Sequence, residues 1–295
     1  MPAFKAHFLA AVLAGFAADA AAAPAAPQFA PNPAVGWIAL GTEFTVPASG
    51  VGPVQQDPKF PRITNEDFRR TGQQPTLPMA DLASPILQPW TKEELRKHNL
   101  LIQSGRGGLS RQASCWPTGV PGFDLYVIHP IFFVQGEKEV LMVWQGDHQV
   151  RHVYLNQPHS PHPKPSWFGE SVGHYEGDTL VVDTIGLNTN TYVDNFYTPH
   201  SDKLHVTERY RMLNGGKNLE ARIHVEDPGA FTMPWDAMQR YRRVEPGVAE
   251  NDIPVTELSS SAVAGPILEM SCAENPGAYF GNESIAIPQA ARADF

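Results

Sequence analysis

The chain has 295 residues, and its 22 Lys and Arg against 31 Asp and Glu give a formal net charge of −9 at pH 7. An acidic surface repels phosphate backbones, and no run of Lys or Arg could follow one, so nucleic-acid binding is excluded. The length suits one large β domain, or a core domain with an extension.

The first residues show the order of features typical of a secretory signal. Lys5 and His7 precede a short apolar run over residues 8–16, and small residues follow at 20–23. The run is too short to cross a bilayer, so no membrane span is predicted. We expect residues 1–23 to be a signal peptide and the mature chain to be exported, to the periplasm or outside the cell. The alternative is an Ala-rich disordered start.

Export changes what the two cysteines indicate. In an oxidising compartment Cys115 and Cys272 are candidates for a disulfide. Such a bond would fasten the C-terminal segment 247–295 onto the core. The alternative is two buried thiols.

Residues 24–108 are predicted to be a Pro-rich extension of the core. Twelve of the 28 prolines lie in residues 24–89, and proline fixes φ and removes a ladder donor. We therefore expect this part to wrap across the core with almost no helix. Thr91 and Glu94 have the spacing of a capping box, which predicts one short helix over 91–102.

From residue 109 to 246 the pattern is that of short strands separated by turns. Eight strands without an intervening helical period favour an antiparallel meander that closes as a lipocalin-like β-barrel, with a β-sandwich as the alternative. A barrel of this size can hold one small ligand. The predicted strands cover 124–135, 139–145, 149–155, 171–175, 179–185, 203–212, 218–226 and 237–244.

Two of these strands alternate apolar and polar side chains, as a strand with one buried face does. Leu204, Val206 and Tyr210 share a face with Glu208, and the residues between them are polar. The polar face points either to solvent or into a polar lumen. In the second case Arg209, Arg222 and Glu220 would form buried ion pairs.

Two blocks stand out as a signature: residues 169–184 read GESVGHYEGDTLVVDT, and residues 199–209 read PHSDKLHVTER. They resemble a family of secreted, β-rich bacterial proteins, mostly uncharacterised, that carries GxSVGx[WY]EGDTLVVDT followed by PHSDxLHVxER. The family's [DH]HQxR segment has its counterpart here in residues 147–151. The resemblance implies an exported β-rich protein and no particular reaction.

Five residues at strand ends or in the 186–202 loop are candidate catalytic groups, because His and Asp can exchange protons or fix a tautomer. Asp183 interrupts an apolar strand and needs a donor such as Arg151, Arg209 or a histidine. The alternatives are an exposed turn histidine at 148 and a structural Asp–Arg pair at 183. The candidates are His148, Asp183, Asp194, His200 and His205.

Side chains near the proposed rim could bind a flat or partly apolar substrate. These candidate substrate-binding residues are Arg151, Trp167, Tyr175, Tyr192, Phe196 and Tyr197. No cofactor is expected. A Zn or Fe site from His148, His200, His205 and a carboxylate is an alternative, although the spacing matches no compact metal motif. Ser171 fits GxSxG by letter, but a strand and a β-turn follow it, which excludes a serine-hydrolase elbow.

These observations predict an exported barrel that binds a small organic molecule, and that acts as a cofactor-free lyase, isomerase or hydrolase through His and Asp. The alternatives are a non-catalytic carrier or envelope scaffold, and a metal-dependent enzyme. A shared site requires His148 to lie near Asp183 and His205. We expect this if 139–155 is one continuous strand with a bulge at Gly146.

Overall fold

The computed structural model describes residues 26–32, 34–106, 115–125, 129–146 and 149–244. Within these ranges nine strands form one closed barrel, in which neighbours in sequence are neighbours in space and the ninth strand pairs with the first. The predicted mostly-β barrel is therefore confirmed. The strands are β1 Gly36–Ala39, β2 Ile131–Gln135, β3 Glu139–Trp144, β4 Gln149–Leu155, β5 Glu170–Glu176, β6 Thr179–Ile185, β7 His205–Leu213, β8 Asn218–Glu226 and β9 Trp235–Val244.

The strand beyond the eight predicted is β1, and it comes from the Pro-rich extension, for which the sequence predicts only a wrap across the core. Strand β1 pairs with β9 along its length and with β2 at Trp37↔Ile131, so it closes the barrel. The four residues of β1 are all buried, and residues 34–46 contain no proline that would remove a ladder donor. The barrel therefore begins far upstream of residue 109.

One pair of strands breaks the antiparallel meander. Strands β4 and β5 run parallel, from Val153↔Ser171 to Leu155↔Gly173, whereas the other neighbours in the barrel are antiparallel. The connection 156–169 must therefore travel back along the barrel. It carries four prolines, which suit an extended crossover, and Ser166 bridges to Leu187 on the way.

The parallel pair decides which connections share an end of the barrel. In a plain meander, the connection 145–148 would lie opposite the connection 186–204. With β4 and β5 parallel, the end of β3 at Trp144 and the start of β4 at Gln149 lie at the same end as the connections 186–204 and 227–234, and we call this the lower end.

The expected bulge at Gly146 is wrong, because the chain reverses direction there. Trp144 pairs antiparallel with Gln149, so β3 and β4 are separate strands. A Cβ on Gly146 would come within 2.2 Å of the Trp144 ring, so glycine is needed for the buried indole to lie under the turn. His148 itself lies outside the described residues.

The barrel interior is mainly apolar. In β8, Leu219, Ala221, Ile223 and Val225 point inward and are buried. Arg209 and Arg222 lie outside, with 43% and 70% of their side chains exposed, so the polar face of these strands points to solvent.

Helix α2, Pro89–Gln103, is the helix predicted over 91–102, and it lies against the lower end. The capping box at Thr91 is wrong. The helix begins at Pro89, and the Thr91 hydroxyl donates to the Ala230 carbonyl at 2.7 Å.

A second helix, α1 Asn65–Thr71, lies in the segment expected to have almost none. Thr64 and Asp67 form its capping box. No helix in the described ranges is long and apolar enough to cross a membrane. Residues 1–23, Cys272 and the segment 247–295 lie outside the described residues, so the signal peptide, the disulfide and the docking of the C-terminal segment stay predictions.

Candidate functional site

Two neighbouring cavities lie at the lower end, on either side of the 186–204 connection. The aromatic cleft, of about 980 Å³, lies between this connection and helix α2. The imidazole cleft, of about 560 Å³, lies between it and the crossover. The two share Thr189 and Asp202, so they are adjacent and we treat them together as the candidate site.

The aromatic cleft presents flat and apolar side chains from two elements. Tyr197 stacks on His98 with ring centroids 4.1 Å apart and meets Tyr192 edge-on at 5.0 Å. Trp90 and Leu101 of α2 complete the walls and are 42% and 41% exposed. Exposed aromatic faces of this kind suit a planar, partly apolar ligand.

Asp194 shapes the loop of the aromatic cleft from beneath. Its Oδ1 accepts the amide hydrogens of Phe196 at 2.9 Å and Thr198 at 3.0 Å, and its Oδ2 accepts the Thr198 hydroxyl at 2.7 Å. Burial raises the pKa of Asp194 to about 6, against these hydrogen bonds, which favour the carboxylate. Asp194 and the buried Phe196 therefore hold the loop and do not line the cleft.

Replacing Asp194 by Asn is expected to remove a pH dependence of stability. Because the pKa of Asp194 in the folded state lies above the ordinary Asp value of 3.8, the wild type loses stability as pH rises from about 4 through about 6. A shift of this size corresponds to about 3 kcal/mol. Urea unfolding measures the free energy of unfolding of Asp194→Asn and of the wild type. The difference, variant minus wild type, should increase by up to that amount between pH 4 and pH 7. A constant difference across this range would contradict the assignment.

His200 lines the aromatic cleft with both ring nitrogens already in use. Its Nδ1 donates to the Ser201 carbonyl at 2.8 Å, and its Nε2 accepts the Thr191 hydroxyl at 2.9 Å. Burial lowers the pKa of His200, which fits this neutral form. His200 is therefore a fixed neutral wall of the cleft and not a free base.

His205 lines the imidazole cleft and belongs to a row of carboxylates and imidazoles on the outer face of the barrel. Asp183 Oδ2 lies 2.8 Å from His205 Nε2, and Asp183 Oδ1 lies 2.7 Å from His159 Nε2. The far nitrogen of each ring meets another carboxylate: His205 Nδ1 lies 3.3 Å from Glu226, and His159 Nδ1 lies 3.1 Å from Glu170.

These contacts shift the pKa values of the pair in opposite directions. Burial alone would raise the pKa of Asp183, but hydrogen bonds from His205 and His159 outweigh it and hold the pKa at about 2. The hydrogen bond to Asp183 raises the pKa of His205 above its usual value, against burial. Asp183 is therefore a carboxylate that orients His205 and stabilises its protonated form.

His159 is the residue that sequence reasoning missed. The Pro/His stretch around it reads as a stiff surface segment, and it becomes a partner of Asp183 only because the crossover passes the outer face of β6. The histidine donors proposed for Asp183 are correct, whereas Arg151 is not one of them.

The other candidates are spread over the molecule. Arg151 is fully buried inside the barrel. Trp167 packs against Trp116, with ring centroids 5.4 Å apart. Tyr175 lies near the end of β5 that is far from the lower end of the barrel, where its hydroxyl accepts from the Gln135 amide at 2.8 Å. The structure thus brings Asp183 and His205 into contact and places His200, Tyr192 and Tyr197 in the neighbouring cleft.

A second cluster of ionisable groups lies inside the barrel and is completely buried. Arg151 makes a bidentate ion pair with Glu208 and donates to Thr184 Oγ1 at 2.8 Å. The Tyr210 hydroxyl lies 2.9 Å from Asp124 Oδ1 and 3.0 Å from Glu208 Oε1.

The pKa values of the two carboxyl groups of this cluster are shifted in opposite directions. Burial, and then the charge of Glu208, raise the pKa of Asp124 well above its usual range, which favours its protonated form. Burial would also raise the pKa of Glu208, but the Arg151 guanidinium outweighs it and lowers the pKa. With 0% exposure of every member, this cluster is a structural part of the core.

Among the described residues, no group of three or more His, Cys, Asp and Glu is arranged to hold a metal ion. Comparison with protein-family profiles, with curated proteins and with solved structures gives no match for this chain.

Proposed function

We propose that the protein is an exported barrel that binds a small, partly apolar organic molecule at its lower end and transfers a proton to or from it. The observation that carries the proposal is His205, which lines the imidazole cleft while Asp183 holds its Nε2. A carboxylate-bound imidazole with its pKa raised is suited to act as a general acid. The proton would leave from Nδ1, whose 3.3 Å contact with the exposed Glu226 carboxylate the ligand would replace. The reaction class is a lyase, isomerase or hydrolase step that needs no cofactor.

In this proposal each cleft binds a different part of the molecule. The stacked rings of Tyr197 and His98 bind the flat, apolar part of the molecule. The reacting group then lies past Thr189 and Asp202, which border both clefts, within reach of His205. Proton transfer of this kind contributes about 100- to 10,000-fold to a rate.

A non-catalytic carrier is the second candidate, and one observation favours it. The larger cleft has aromatic walls, and the histidine that the 186–204 loop contributes to it, His200, has both nitrogens occupied. Binding without conversion would need no more than these walls.

The test begins with mass spectrometry of small molecules that co-purify with the full chain, each of which is then incubated with the protein. Conversion by the wild type, lost about 100-fold or more in His205→Gln, would support the enzyme. The matched control is His152→Gln, because His152 is also exposed and carboxylate-bound, to Glu139 at 3.1 Å, and lines neither cleft. A ligand recovered unchanged from the wild type would favour the carrier.

Asp183→Asn tests whether this carboxylate sets the pKa at which His205 acts. Without the carboxylate, the pKa of His205 should fall, so the alkaline limb of the rate profile moves to lower pH. Proton NMR of the His205 ring measures the same pKa without any substrate. An unchanged His205 titration in Asp183→Asn would contradict the proposed role of Asp183.

A further inference from the structure

A third cavity, of about 520 Å³, lies on the outer face of strands β7 to β9 beneath residues 47–49. It shares no lining residue with the two clefts of the lower end. Three arginines reach into it, one from each strand: Arg209, Arg222 and Arg240.

The strand register places two of these positive charges opposite each other. Arg209 and Arg222 are direct cross-strand partners, and both belong to the solvent face. Like charges in this position destabilise a sheet unless something neutralises them. Arg209 forms an ion pair with Glu176, which does not line the cavity. Arg222 forms an ion pair with Glu220, which does.

Glu220 anchors the second and third arginines in a particular way. Its side chain is only 7% exposed, and it accepts Arg222 Nε at 2.9 Å and Arg240 Nε at 3.1 Å. Among the described residues, neither arginine donates to Glu220 through its terminal amino groups. One buried carboxylate therefore fixes two guanidinium groups whose outer edges stay available in the cavity.

Apolar side chains also line the cavity. Pro47 and Ala48 are among them, and so is Met238, the cross-strand partner of Arg222 on β9. Thr45 exchanges both backbone hydrogen bonds with Met238, each at 2.9 Å, and this holds the segment that carries Pro47 and Ala48. A ligand of this cavity would thus meet both guanidinium donors and apolar carbons.

We propose that this cavity binds a small organic carboxylate. Its two oxygens accept from the terminal amino groups of Arg222 and Arg240, the planar geometry that guanidinium favours. Its charge adds to those of Glu176 and Glu220 in offsetting the repulsion between Arg209 and Arg222. Its apolar body packs against Pro47, Ala48 and Met238. The site is separate from the lower end and does not depend on the proposed reaction there.

Benzoate is a suitable probe, and isothermal titration of the full chain measures its binding. We expect benzoate to bind with a dissociation constant that rises with NaCl concentration. Acetate, which lacks the apolar body, and benzyl alcohol, which lacks the charge, should each bind at least tenfold more weakly. Equal binding of benzoate and benzyl alcohol would overturn the proposal.

Arg222→Gln should weaken benzoate binding about tenfold or more, and Arg222→Lys should weaken it less because the charge is kept. The matched control is Arg211→Gln, because Arg211 lies on the same face of β7, is 58% exposed, pairs with Asp178 and does not line the cavity. If Arg211→Gln weakened benzoate binding as much as Arg222→Gln, only the overall charge would matter, and the proposed site would be overturned.

His205→Gln separates this site from the lower end. It should leave benzoate affinity within twofold of the wild type, and a larger loss would place benzoate in the imidazole cleft and overturn the proposal. Thermal unfolding of each variant checks the fold, and Arg240→Gln serves as an independent test of the same carboxylate contact. The failure of benzoate binding would leave the proposed reaction at His205 untouched.

Discussion

Replacing Arg151 by Met is expected to destabilise the protein by about 3–5 kcal/mol at pH 7, because it leaves a charged partner inside the barrel without compensation. The Arg151 and Glu208 side chains are both 0% exposed, and Arg151 also donates to Ser171 Oγ at 3.1 Å. Without Arg151, Glu208 faces Asp124 in an apolar lumen, with no cation to balance its charge. Urea unfolding at pH 7 measures the loss.

The loss should depend on pH with a definite sign. When Arg151 is removed, burial raises the folded pKa of Glu208 above its unfolded value, so the variant can relieve the cost by taking up a proton. Arg151→Met should therefore be less destabilised at pH 5 than at pH 8.

The double variant Arg151→Met/Glu208→Leu provides the control. It removes both charges together, so it should recover at least half of the lost stability, with a coupling energy of about 2–3 kcal/mol. Additive effects of the two single variants would contradict the assignment of a paired, desolvated ion pair. Arg211→Met, at an exposed ion pair, should change stability by less than about 1 kcal/mol.

Replacing Gly119 by Ala is expected to cost about 3–4 kcal/mol and to disturb the aromatic cleft, since a left-handed backbone and a steric clash act together. Gly119 has φ of +75°, and an added Cβ would lie 2.6 Å from both Cβ and Oγ1 of Thr191. Thr191 is 1% exposed and donates to His200 Nε2, so moving it breaks that hydrogen bond.

Gly177→Ala is the matched control, because Gly177 also has a positive φ, of +61°, and an added Cβ there would meet nothing within 4 Å. It should cost only the strain of a left-handed alanine, about 1–2 kcal/mol. The His200 ring gives a local readout, because Gly119→Ala should raise its pKa towards the usual value while Gly177→Ala leaves it unchanged. Equal losses of stability in the two variants would show that Thr191 yields without cost.

The local alternation of apolar and polar residues is sufficient to predict most of the strands and the face of each that is buried. Alternation in residues 204–212 predicted that Glu208 shares the inward face with Val206 and Tyr210, and all three are buried. In β4 the same alternation holds, and His152 lies on the outer face with 51% of its side chain exposed. Successive side chains of a strand point to opposite faces of the sheet, so the residues that share a face can be predicted before any partner strand is known.

The same pattern could not identify partners across the barrel. The sequence offers Arg151 as one of three candidate donors for Asp183, yet Arg151 points inward and Asp183 points outward, on opposite faces of the sheet. The partner of Arg151 is Glu208, 57 residues away, and the partners of Asp183 are His159 and His205, 24 and 22 residues away. Such pairs form only when distant strands and a crossover are packed together.

The sequence by itself thus determined a mostly-β chain with one substantial helix, alternating strand faces, and a His and Asp group around the 186–204 connection. The tertiary structure alone decided three things: β1 closes the barrel, β4 and β5 run parallel, and the end of β3 and the start of β4 lie at the lower end. The physical reason is that alternation and turn residues act within a few residues, whereas strand pairing is settled by burial of the whole barrel interior.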